Sequence, residues 1–220
     1  METNLTKGLQ IAIAIITLLS LSYFIDTAIF ERIIQEDGEL ENLTALGLFT
    51  CSALLFVRFI KIYKTKNGLW ITVNILMILG LFFGFGEEIS WGQRIFSVES
   101  SEFFLENNAQ SETNLHNLKV GEVKVNRILS LVLSIGFGVY YLFMLVLYKK
   151  VVAIQKLINT LGIPLPTAKQ SIWFLVATAV ILIVPNSKKW EIWECVFVLS
   201  FLWILIAPYN IGEKLFVWRK

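Results

Sequence analysis

Long apolar runs separated by short polar stretches recur along this chain, and their lengths decide its class. Six of them cover Leu9–Ile29, Leu43–Tyr63, Leu69–Gly86, Ile128–Tyr148, Thr167–Val184 and Trp190–Ala207. A run of about 18 or more apolar residues matches a hydrocarbon core about 30 Å thick. The pattern predicts an all-α, polytopic membrane protein with six transmembrane helices in one integral domain over residues 1–220. The first run is too long for the apolar region of a signal peptide, and no small-residue cleavage site follows it, so it is expected to stay as a helix.

Composition agrees with that pattern. Of 220 residues, 56% are hydrophobic and only 16% charged, with a mean hydropathy of +0.68. Soluble domains carry about 25% charged residues. Charge also orients the expected spans. Lys7, Arg58, Lys61, Lys64, Lys66, Lys149, Lys150, Lys156, Lys169, Lys214, Arg219 and Lys220 fall on one side, joined there by only Glu2 and Glu213 among the acidic residues. The positive-inside rule puts this side, with both termini, in the cytoplasm of an inner or cytoplasmic membrane. Spread over juxtamembrane loops, these cations suit membrane lipids and exclude a nucleic-acid surface. Cys51 and Cys195 fall inside expected spans and form no redox or thiol-metal motif.

The longest polar interruption is the expected outer segment Glu87–Arg127. It opens with GEEISWGQR at Gly86–Arg94 and continues with NAQSETNLHN at Asn108–Asn117, which holds the one histidine. Ionisable groups at membrane depth are costly and point to function. EEISWGQRIF is expected to prolong the third helix, Ser100 and Ser101 to start a short helix over EFFLEN, and SETNLHNL to add a turn or two. The segment then folds over the outer mouth of the bundle, with Phe103, Phe104 and Leu105 able to dip into the interface. On the opposite side, KKVVAIQKLINTLGIPLP at 149–166 reads as a surface connector, or as an amphipathic helix on the cytoplasmic leaflet stopped by Gly162 and Pro164. Gly80 and Gly84 form a small-xxx-small pair suited to close helix packing.

Three chemistries fit the polar block. In one, Glu88, Glu112 and His116 hold a divalent metal (zinc, manganese or iron) whose water attacks a substrate. On a helix, Glu112 and His116 would share one face. In the second, no metal is needed. Glu87 or Glu88 is a general base, His116 its acid partner, and Arg94 with Gln93, Asn114 and Asn117 clamps a phosphate or carbonyl. In the third, the block is structural, with Arg94 paired to glutamates and the amides satisfying helix ends. Consecutive helical positions point about 100° apart, so one of Glu87 and Glu88 can face the bundle and the other the loop. Asp26, Glu39, Glu41, Glu191 and Glu194 reach the same side. Carboxylates at helix starts suit the dipole, and together they would make a cation-attracting vestibule.

GEEISWGQR, NxQxExNxHN and EDGxxExLTALG at Glu36–Gly47 resemble a group of uncharacterised bacterial multi-pass membrane proteins. That resemblance implies that Glu36, Asp37, Glu41, Glu87, Glu88, Gln93, Arg94, Glu112, Asn114, His116 and Asn117 belong together, and implies no activity. A weaker likeness is to glutamate-dependent intramembrane proteases of the CAAX type, which use EExxxR, FxxxH and a second histidine motif. Glu87 and Glu88 match the double glutamate. Arg94 lies six residues beyond Glu88 instead of four, Glu112 stands where that pattern has phenylalanine, and the second histidine is absent.

The expected function is a membrane-embedded hydrolase or transferase acting on a lipid-linked or membrane-proximal substrate. Glu87, Glu88, Arg94 and His116 would be catalytic, and Gln93, Asn114, Asn117 and Glu41 would bind substrate. The alternatives are a transporter or channel-like protein with an acidic outer vestibule, and an assembly subunit that docks a membrane-protein partner or a second copy of itself.

Overall fold

The computed structural model describes residues 4–35, 38–115, 117–120 and 123–210, without the side chains of residues 94, 120 and 123–131. The architecture is helical apart from one minimal hairpin. Four described helical stretches are long and apolar enough to cross a membrane by length and composition: Asn4–Phe24, Glu39–Thr65, Gly68–Glu88 and Val132–Lys150.

The first apolar run breaks sooner than its hydropathy suggests. Helix α1 (Asn4–Leu19) tightens into a 3-10 turn over Ser20–Phe24. Asp26 then accepts the Ala28 N–H at 2.8 Å and starts a new helix, α2 (Thr27–Ile33). An aspartate whose side chain takes a helix-start N–H favours the cap over the helix interior. Helices α3 (Glu39–Ile62) and α4 (Gly68–Glu88) follow, α4 opened by Asn67, which accepts the Trp70 N–H at 2.8 Å.

Beyond α4 come the short helices α5 (Gln93–Phe96) and α6 (Glu102–Asn107) and the antiparallel pair β1 (Lys119–Val120) and β2 (Val123–Lys124). Helix α7 (Val125–Val139) passes through a π-helical turn at Tyr140–Met144 into α8 (Leu145–Lys150). The rest is α9 (Val152–Leu161), α10 (Ala168–Leu182) and α11 (Lys189–Ile206). Helix α10, at 15 residues, is shorter than a span. Helix α11 has 18, but Lys189, Glu191 and Glu194 charge its first turns.

Helix α11 is the axis of the fold. It packs against α1, α3 and α10, and α3 packs in turn on α4. A helix apolar all round belongs in a core, and α11 buries Ile192, Trp193, Cys195 through Ser200 and Trp203 through Leu205. Phe197 and Trp193 stack with each other and meet Phe174, itself stacked on Tyr141 at 4.0 Å. Helix α3 meets α11 closely at Gly47, where a methyl group would strike the Val198 side chain. Gly80, by contrast, has nothing within 4 Å of a would-be side chain, and Gly84 meets only Leu48 at 3.5 Å.

The end of the bundle holding α9 is locked by one buried cation. Both terminal nitrogens of Arg58 donate to the Gly162 carbonyl at 3.1 Å, and its guanidinium lies 5.3 Å from the Trp70 ring centre. Asn74 donates to the Leu161 carbonyl at 3.0 Å. Gly162 ends α9 at φ +69°, and a side chain there would collide with the Trp70 indole. Thr167 and Gln170 form a capping box on α10, and Gln170 Nε2 also donates to the carbonyls of Trp203 and Ala207 at 3.1 Å each. One amide thereby serves the start of α10 and the end of α11, where backbone groups lack helical partners. Helices α4 and α10 end, and α3 and α11 begin, at the opposite pole, where the polar block lies.

Candidate functional site

The polar block is organised by a left-handed turn. Helix α4 stops at Glu88, and Ser90, Trp91 and Gly92 take φ of +46°, +54° and +78°. This region suits glycine; a serine and a tryptophan there cost roughly 1 kcal/mol or more each. Side-chain bonds offset that cost. Trp91 Nε1 donates to Glu87 Oε1 at 2.8 Å, its ring meets Phe83 edge-on at 5.4 Å, and Ser90 Oγ donates to Glu112 Oε2 at 2.5 Å. The indole presses on Gly86, where a Cβ would lie 2.7 Å from a ring carbon. The continuation of the third helix expected from EEISWGQRIF is thus replaced by a reversal.

The second half of the block is pinned to the first. Glu87, 6% exposed, uses its other oxygen to accept the Leu115 N–H at 2.7 Å. Gln93 accepts the Thr113 N–H at 2.7 Å and donates to Ser100 Oγ at 2.7 Å. Asn114 donates to Ser90 Oγ at 3.0 Å and to Glu112 Oε2 at 3.2 Å, and Asn108 donates to the Asn114 carbonyl and side-chain oxygens at 2.9 Å. The Asn117 N–H reaches Asn114 Oδ1 at 3.3 Å, and its side chain donates to Gln110.

Residues 111–115 are consequently bends and not a helix, so Glu112 does not stand in a helical i,i+4 relation to position 116. Local side-chain-to-backbone bonding competes with helix formation. His116, the Arg94 side chain, Glu36 and Asp37 lie outside the described residues.

Glu88 answers to a different set of charges. Its strongest electrostatic neighbour is Glu194, followed by Glu191 and Glu41, with its sequence neighbour Glu87 last. Glu194 in turn feels Glu191 and Glu41. Buried Cys195, in contact with Thr44, ties this group to the junction of α3, α4 and α11. The first turn of α3 and the first two of α11 thus carry carboxylates whose charge is felt at Glu88, and Glu191 and Glu41 are felt at Glu194 as well.

Two features of the sequence readings are thereby rearranged. Glu88 belongs with Glu41, Glu191 and Glu194, and Glu112 with Ser90 and Asn114. Ser90, Trp91, Ser100, Asn108, Gln110 and Thr113, none of them singled out by charge, complete the network; all but Ser100 lie inside the two motif strings. Among the described residues, no three His, Cys, Asp or Glu side chains are grouped so as to hold a metal ion. A cleft of about 130 Å³ opens between Ser90, Gly92, Gln93 and Thr113 on one side and Trp91, Phe96 and Val98 on the other. It is small beside the roughly 300–1,000 Å³ of typical ligand pockets. No known protein family, curated protein or solved structure matches the chain.

Proposed function

We propose that the chain is a six-span protein of the inner or cytoplasmic membrane, with both termini cytoplasmic and the polar loop folded over the outer mouth of the bundle. Its working site is the carboxylate group of Glu41, Glu88, Glu191 and Glu194. The function we assign is a hydrolase or transferase acting on a lipid-linked or membrane-proximal substrate. The observation that carries this is the split between adjacent glutamates: Glu87 is spent on Trp91 and Leu115, while Glu88 is within electrostatic reach of carboxylates on two other helices.

Coupled carboxylates divide acid and base roles. In a hydrolysis, Glu88 takes a proton from water as the water oxygen bonds the electrophilic centre, and the acid partner returns one to the departing oxygen as its bond to that centre breaks. His116 and Arg94, from the covering loop, are the proposed acid partner and anion clamp. Gln93, Asn114 and Asn117 act on substrate only through the loop shape they hold. Among the described residues, the four carboxylates are not grouped as a metal-ligand set, and no step of this reaction is routed through a metal ion.

A second reading is favoured by the small size of the described cleft. An acidic vestibule for a transported cation needs no large pocket. The test uses purified protein in lipid nanodiscs, offered a panel of lipid-linked pyrophosphates and phospholipid esters and titrated with divalent cations. Turnover that falls by about 100-fold or more in Glu88→Gln supports the enzyme. Cation binding lost in Glu88→Gln without turnover moves the assignment to the vestibule. Neither turnover nor binding overturns both.

A further inference from the structure

The stretch from Trp91 to Leu105 leaves Trp91, Ile95, Phe96, Val98, Phe103 and Leu105 exposed, Phe96 by 75% and Ile95 by 70%. Single apolar residues on a surface need no explanation, but a contiguous group does. This one is continuous with a larger apolar surface. Leu76, Leu79, Phe82 and Phe83 are exposed along α4, and Phe83 meets Trp91 edge-on at 5.4 Å.

The reversal at Ser90–Gly92 also sets a depth. Trp91 packs beside Gly86 and Phe83, residues two and five positions before Glu88. With a rise of about 1.5 Å per residue, the indole lies roughly 3–8 Å closer to the middle of the bundle than Glu88. The Ser90–Gly92 turn and its indole therefore lie against the flank of α4.

We infer that residues 91–105 form an apolar elbow seated in the lipid leaflet beside α4, the lipid itself being what covers it. This rests on the membrane reading of the fold and is independent of any chemistry at Glu88. Glu99, Glu102 and Glu106 are exposed on the same stretch, which holds the elbow at the boundary where charged tips still reach headgroups and water. The elbow keeps the Glu88 carboxylate a few ångströms above the acyl chains, at headgroup depth.

The test places an environment-sensitive fluorophore on Phe96→Cys, Phe103→Cys, Leu79→Cys and Glu106→Cys in nanodiscs. Cys51 and Cys195 are fully buried, and the unsubstituted protein measures any background labelling. Labels at 96 and 103 are expected to be quenched by headgroup-proximal nitroxide lipids and to be about fivefold less accessible to aqueous iodide than the label at 106. Lipid quenching at 79 with free iodide access at 96 and 103 would overturn the elbow and leave the membrane reading standing. Absence of lipid quenching at 79 would overturn both. Labels at 96 and 103 shielded from iodide yet untouched by nitroxide lipid would mean that protein, such as a second copy, covers the surface, and would likewise overturn the elbow.

Discussion

The Leu115 N–H donates to Glu87 Oε2 at 2.7 Å across 28 residues of chain, while the other oxygen of the same carboxylate accepts from Trp91 at 2.8 Å. A single buried charge thereby fixes both the turn that ends α4 and the loop that returns over it. Hydrogen bonds to a buried charge are among the stronger ones, worth about 1.5–3 kcal/mol each.

Removing part of that strut should loosen the loop before it unfolds the bundle. Asn114→Ala takes away the donor to Ser90 and Glu112 and the acceptor for Asn108 and Asn117. The expected cost is about 1–3 kcal/mol, because buried partners are left unsatisfied. Hydrogen exchange read by mass spectrometry should show faster exchange over residues 105–118 with α11 unchanged. Uniform protection in the variant would contradict a network role for Asn114.

At Gly47, the contact with Val198 makes a pairwise prediction. Gly47→Ala is expected to destabilise by about 1–3 kcal/mol through overpacking. Val198→Ala should recover most of that loss in the double variant, even though alone it leaves a small cavity. A thermal-unfolding double-mutant cycle measures the coupling; simple additivity would show that α3 and α11 do not meet as described.

Gly162 combines two constraints, a φ of +69° and the Trp70 indole against its Cα. Gly162→Ala should cost about 1–3 kcal/mol from backbone strain alone, and more from the clash. The Arg58–Gly162 bonds would be disturbed with it, so loss of the Trp70 contact should redshift part of the tryptophan emission. A neutral variant would mean that α9 docks differently.

Hydropathy carried the helical class of the fold, since a long apolar run leaves a chain few alternatives. The stop of α9 at Gly162 and the start of α6 after Ser101 followed from local residue chemistry. The turn at Ser90–Gly92 did not: serine and tryptophan at positive φ carry no sequence signal, and what holds them, Glu112 and Glu87, acts through tertiary contacts. Spacing alone also missed the glycine with the tightest α3–α11 neighbour. Gly80 of the small-xxx-small pair has nothing within 4 Å of a would-be side chain and Gly84 only an ordinary contact with Leu48 of α3, while at the lone Gly47 a side chain would run into Val198 of α11. The partition of Glu87 from Glu88 depends on how α4 is rotated against α3 and α11, and a single helix cannot report that.

The most direct test of this partition is the thermal unfolding midpoint of Glu87→Gln and Glu88→Gln beside the unaltered protein, in one detergent and at one concentration. In Glu87→Gln, an amide NH₂ would oppose the Leu115 or Trp91 N–H. Its midpoint should fall by roughly 2–10 °C, about 1–3 kcal/mol for a chain of this size. Glu88→Gln removes one member of a mutually repelling carboxylate group, so its midpoint should hold or rise. Equal losses in the two variants, or a loss confined to Glu88→Gln, would contradict the account.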